Sequence, residues 1–142
     1  VIILGPKVHA LSDLSEGVRA SVAFSITGEQ MEQFAQLSGD CNPLHTDEEF
    51  ARSKGFQGRV VYGALLVAKV SQLIGMELPG RDSVWASVSF DFRKPLFIDQ
   101  TAEAEGVIAS VSEATGLVEL HLTVRADGKL LARGRAEVVV AG

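Results

Sequence analysis

The segment GALLVAKVSQLI, residues 63–74, carries alanine, leucine or valine on nearly every side of a helix, with only Lys69, Ser71 and Gln72 polar. A helix apolar almost all round is expected to be buried almost all round. Gly75 and the Pro79-Gly80 pair end it, so the reading is a long buried helix over about residues 63–75. Beyond it the pattern changes to period two. Val84, Ala86, Val88, Phe90 and Phe92 alternate with Trp85, Ser87, Ser89 and Asp91. Further strands are expected over residues 101–111, 117–125 and 130–140, with turns at Thr115-Gly116 and Asp127-Gly128. Val118, Leu120, Leu122 and Val124 share one face of the second of these. Hairpin-linked neighbours imply an antiparallel meander, and such a sheet must curl around the helix to cover it. The expected architecture is α+β, one domain over residues 1–142, with a sheet edge open for pairing with a second copy.

Before the buried helix the chain is mixed. Val18, Ala20, Val22, Phe24 and Ile26 alternate as a first strand, and Thr27 with Gln30 forms a capping box. Met31, Phe34, Ala35 and Leu37 then make a helical stripe that Gly39 stops, and Asp47 caps a short second helix.

Composition excludes several classes of function. With 142 residues, 46% of them hydrophobic and 22% charged, the chain has room for one proper core. A formal net charge of -5 and no basic patch argue against nucleic-acid binding. A polyanionic ligand would rely on a few local cations. The single cysteine, Cys41, rules out an intramolecular disulfide, and His9, His45 and His121 show no ligand spacing, so no metal site is expected. The longest apolar run is too short to span a bilayer. A cytoplasmic location is the default, although the chain begins at Val1 without an initiator Met, so the natural start can lie upstream.

One stretch departs from simple patterning: FAQLSGDCNPLHTD, residues 34–47. Asp40 and His45 are separated by Asn42-Pro43, and Pro43 biases Asn42 away from helical geometry. The pair therefore lies on a loop rather than on one helix face. A carboxylate and a neutral imidazole sharing one water can polarise it and move its protons, with the Asp fixing the imidazole tautomer or receiving the proton. The same residues also suit a plain turn and a packed histidine. Gly63, at the start of the buried helix, is the second candidate. Its backbone N–H is free of intrahelical partners and could stabilise an oxyanion, and a glycine lets a ligand approach closely. Close packing explains the same glycine. His121 lies on a polar strand face and is expected at the surface, and nothing but His45 stands near Cys41 to activate its thiol.

Ser38-Gly-Asp-Cys-Asn-Pro-Leu-His45, with Phe34 upstream and Ala51 six residues after the histidine, resembles the signature of the MaoC-like R-specific enoyl-CoA hydratases. The segments GFQGRVVYGALL (residues 55–66) and FDFRKPL (residues 90–96) are similar to the same family, and the resemblance runs from about Leu14 to Val140. It implies a hot-dog fold and a dimer. It also implies syn addition of water to a trans-2-enoyl thioester, giving the R-3-hydroxyacyl product, with no metal or redox cofactor. By position, it implies that Asp40 and His45 activate the water, that Asn42 braces the loop, and that the Gly63 N–H contacts the thioester oxygen. It further implies that Ser71 hydrogen-bonds into the catalytic pair. The family often has histidine where this chain has Tyr62, a position expected to line the acyl or pantetheine channel. The carrier is coenzyme A or acyl carrier protein. Two rival readings stand beside this one: a hot-dog acyl-thioesterase attacking the carbonyl carbon, and a non-catalytic module that binds acyl thioesters.

Overall fold

In the computed structural model, which describes residues 4–141, strand β1 (Arg19–Phe24) leads into helix α1 (Gly28–Ser38). The capping box forms: Gln30 N donates to Thr27 Oγ1 at 3.1 Å and Thr27 N donates to Gln30 Oε1 at 2.9 Å. Gly39 ends α1 with φ 76°, a left-handed conformation that costs glycine little. Residues 40–47 are not wholly loop. A single turn, α2 (Pro43–Thr46), follows the Asn42 cap, with Pro43 at its first position, where a missing N–H is harmless. Asp47 then caps α3 (Glu48–Ser53) as its position suggested.

The apolar segment forms α4 (Gly63–Gln72) and continues into a wider π turn, Leu73–Glu77. Its burial differs from the expectation. Leu66, Val70, Leu73 and Ile74 are at most 3% exposed, yet Ala64, Ala68, Ser71 and Gln72 are exposed. One curved sheet covers one side of a helix. The other side is flanked by α1 alone, across a cleft where Phe34 and Leu37 face Leu65 and Ala68.

The sheet completes the fold with β2 (Ser83–Phe92), β3 (Ala102–Val111), β4 (Leu117–Ala126) and β5 (Lys129–Val140). All pairings are antiparallel, in the order β1-β3-β4-β5-β2. The meander holds for β3, β4 and β5. It fails for β2, which pairs with β5 at the far edge rather than with its successor β3. The physical reason is that β1 occupies the free side of β3, leaving only the β5 edge open. Residues 93–101 therefore cross from one side of the sheet to the other.

Val118, Leu120, Leu122 and Val124 are all at most 1% exposed, and burying each side chain contributes about 1.5–3 kcal/mol. The helix packs directly on the sheet at Gly106, where a Cβ would stand 3.0 Å from Leu73 Cδ2. The β2 alternation has another outcome. The register shift between Trp85 and Ser87 inverts the alternation: Trp85 before it and Val88, Phe90 and Phe92 after it lie on the core-side face with Val138, Ala136 and Ala132 of β5, while Val84 lies on the opposite face. Trp85 and Phe90 pack against the core, and Val84, Val88 and Phe92 are 58%, 39% and 54% exposed along an open sheet edge.

Candidate active site

The loop after α1 is a chain of short-range turns. Asp40 N donates to Ser38 Oγ at 3.1 Å, Asn42 N to Asp40 Oδ1 at 3.0 Å, and Leu44 N to Asn42 Oδ1 at 3.0 Å. Asn42 thus caps α2, the bracing position expected of it. Asp40 is exposed, and with Oδ1 engaged by Asn42 its Oδ2 is open.

His45 is half-buried and tied more deeply. Its Nδ1 lies 2.6 Å from the carbonyl oxygen of Val60. A carbonyl can only accept, so Nδ1 carries the proton and the neutral ring keeps its lone pair on Nε2. The tautomer is set by this backbone oxygen and not by Asp40. The His45 carbonyl accepts from Arg59 Nε at 2.8 Å, and the same guanidinium reaches Glu32 of α1 at 3.1 Å. Val60 N donates to Leu44 O at 3.2 Å, so residues 59–60 hold α2 from beneath.

His45 shares the wall of a cavity of about 340 Å³ with Gly63, Val60, Phe92, Arg93 and Lys94. The Gly63 N–H opens α4 and has no intrahelical acceptor. The Phe92 ring stands 3.1 Å from where a Gly63 Cβ would be, so any larger residue would push into the cavity wall. An imidazole with a free Nε2 and a helix N-terminus therefore face one mostly apolar space. Such a site can move a proton and stabilise an oxyanion. Among the described residues no cluster of His, Cys, Asp or Glu is suited to hold a metal.

Asp40 does not line this cavity, and the remaining expected residues lie elsewhere as well. Tyr62 is 2% exposed and does not line the cavity. Its ring stacks on His45 with centroids 4.1 Å apart and meets Phe34 at 4.7 Å, while its hydroxyl donates to Asp40 O at 2.6 Å. The expectation that it lines the channel is corrected: a large ring at this point of the loop fills the space under α2. Burial, and then the Asp40 carboxylate, push its phenol pKa up, so it remains a donor. Ser71 is on the exposed side of α4 and makes no side-chain hydrogen bond among the described residues, so within one chain it does not join Asp40 and His45. The reason is helical phase. Val70 and Leu73 take the buried stripe, and Ser71 and Gln72 between them turn outward. His121 is exposed beside Glu119, and Cys41 is exposed and free.

Sequence reasoning did not single out Arg59, Val60 or Phe92. Val60 acts through its backbone carbonyl, which leaves no side-chain signature, and Arg59 reaches the His45 carbonyl with its guanidinium from a position distant in sequence. Phe92 looked like one more residue of an alternating strand.

Residues 10–129 match the family described as MaoC like domain. The chain is 31% identical over 133 residues to a protein of Rhodospirillum rubrum named (R)-specific enoyl-CoA hydratase, covering 94% of this chain and 92% of that one. It is 28% identical over 134 residues to a 3-hydroxybutyryl-CoA dehydratase of Methylorubrum extorquens, covering 94% and 85% respectively. The fold superposes on the (R)-hydratase from A. caviae involved in PHA biosynthesis with a TM-score of 0.86 and 31% identity, over 90% of this chain and 98% of that chain. Sheet, central helix and sequence agree with these relatives over nearly the whole chain, which therefore belongs to the MaoC-like domain family, with its hot-dog fold.

Proposed function

We propose that the chain catalyses R-specific hydration of a trans-2-enoyl-CoA to the (R)-3-hydroxyacyl-CoA, or the reverse dehydration. The observation that carries this reading is His45, its Nδ1 committed to Val60 O, on the wall of the same cavity as the Gly63 N–H. In the proposed reaction Asp40 and His45 hold the water, and His45 Nε2 takes a proton as the oxygen bonds to the β carbon. The double-bond electrons move towards the thioester carbonyl, whose oxygen is stabilised at the Gly63 N–H. The enolate then takes that proton from His45 Nε2 at the α carbon on the same face, which restores the imidazole. No metal or redox group is required, because the thioester itself activates the double bond. The relatives named for hydration and dehydration support this reading.

The test uses crotonyl-CoA and follows loss of the conjugated enoyl absorbance beside a thiol assay. Loss of absorbance without thiol is expected. Release of thiol would make the protein a thioesterase, and no turnover by folded protein would make it a binding module.

The carrier meets cations at one end of the cavity. Arg93 and Lys94 line it, and Lys94 also lines an adjoining groove with Lys129. None of the three joins an ion pair among the described residues, although Asp127 also faces the groove. These cations suit the phosphates of coenzyme A. Lys94→Ala should raise KM for crotonyl-CoA about threefold, with kcat unchanged and the difference shrinking as salt rises. An unchanged KM at low salt would remove Lys94 from the carrier site.

A homodimer joined along β2 fits the exposed apolar side chains Val84, Val88 and Phe92 on its open edge. Phe92 also lines the cavity, so the seam would run beside the site. Sedimentation should give about twice the 15.1 kDa chain mass. A monomer at micromolar concentration would contradict this.

A further inference from the structure

Asp40 sits in an exposed loop that its own neighbours cannot hold in place. Its N–H bond to Ser38 and its side-chain bond to Asn42 both stay within residues 38–42. Among the described residues, one hydrogen bond reaches Asp40 from elsewhere in the chain: the Tyr62 hydroxyl, 2.6 Å from its carbonyl oxygen. The ring that carries this hydroxyl is the one stacked on His45 at 4.1 Å and 26°. Tyr62 itself is buried. It is 2% exposed, packed against Phe34 of α1, and directly precedes the first residue of α4.

From this juxtaposition we infer that Tyr62 is a positioning residue that sets the geometry between Asp40 and His45, its hydroxyl fixing one and its ring face fixing the other. The raised phenol pKa accords with the role, since the hydroxyl must remain a donor wherever the enzyme works. The inference rests on the hydratase reading above. Asp40 and His45 need a fixed separation only if both act on one water, and a displacement of about 1 Å can cost on the order of 10²-fold in rate.

The test is Tyr62→Phe, which keeps the ring and removes only the hydroxyl, made alone and in the Asp40→Asn background. Alone, kcat for crotonyl-CoA should fall about tenfold with KM unchanged and the circular dichroism spectrum intact. In Asp40→Asn, which has already lost the carboxylate, the same change should cost less than about twofold, because residues acting as a unit are not additive. Tyr62→Leu removes the stack as well and should lower kcat further than Tyr62→Phe. Three results would overturn the inference: an unchanged kcat in folded Tyr62→Phe, an equal tenfold loss in both backgrounds, or a fall in kcat matched by lost folded protein. Full activity in Asp40→Asn by itself would instead remove Asp40 from the reaction while the hydration stands, and the inference would fall with that role.

Discussion

His45→Gln is expected to lower kcat for enoyl-CoA hydration by about 10²-fold or more, the usual scale for losing a positioned general base. The glutamine amide can reach the same region and donate to Val60 O in place of Nδ1–H, which is 2.6 Å from that oxygen in the wild type. Its carbonyl oxygen is a far weaker base than an imidazole Nε2. The chemistry is lost while the local hydrogen bond can survive. The stack on Tyr62 is lost as well, and an aromatic pair is worth about 0.5–1.5 kcal/mol beyond its buried area. A lowering of Tm by several degrees is therefore expected beside the rate loss. Steady-state kinetics with crotonyl-CoA, together with a thermal melt, separate the two effects. Retention of more than a tenth of wild-type kcat would remove His45 from proton transfer.

Asp40→Asn should lower kcat by a similar factor with almost no change in stability. The side chain is exposed, and asparagine keeps an Oδ1 that accepts from Asn42 N, so the turn at residues 40–42 is preserved. Surface substitutions of this kind usually fall within about 0.5 kcal/mol. What disappears is the negative charge and the open Oδ2 lone pairs. An unchanged Tm with kcat down about 10²-fold would assign the carboxylate to the reaction. An unchanged kcat would leave Asp40 as a turn residue and His45 acting alone.

The segment that carries these two residues stands out because it breaks the helix and strand periodicities around it. Asp40, Asn42, Pro43 and His45 are all poor choices for a simple amphipathic element, and a conflict with local pattern marks a site. Periodicity also carried α4, the Thr27 cap and the inward face of β4, because each is a local pattern with a local cause. What escaped was non-local. The placement of β2 beside β5 depends on β1 having taken the other edge, and no window of β2 contains that fact. The exposed side of α4 follows from how much sheet one chain can supply. Tyr62 was read as part of the channel from its position in the family resemblance, before the helix glycine. Only the stack on His45 and the bond to Asp40 O, both between residues distant in sequence, reveal what it touches.

The central claim is that Asp40 and His45 deliver water to the β carbon of an enoyl thioester. Turnover of crotonyl-CoA in 18O-labelled water tests it most directly, with the product's position of label and configuration read by mass spectrometry after chiral separation. The account predicts one 18O in the hydroxyl at carbon 3, the R configuration, and no free coenzyme A. Label in a free carboxylate with stoichiometric release of thiol, or a product of S configuration, would contradict it.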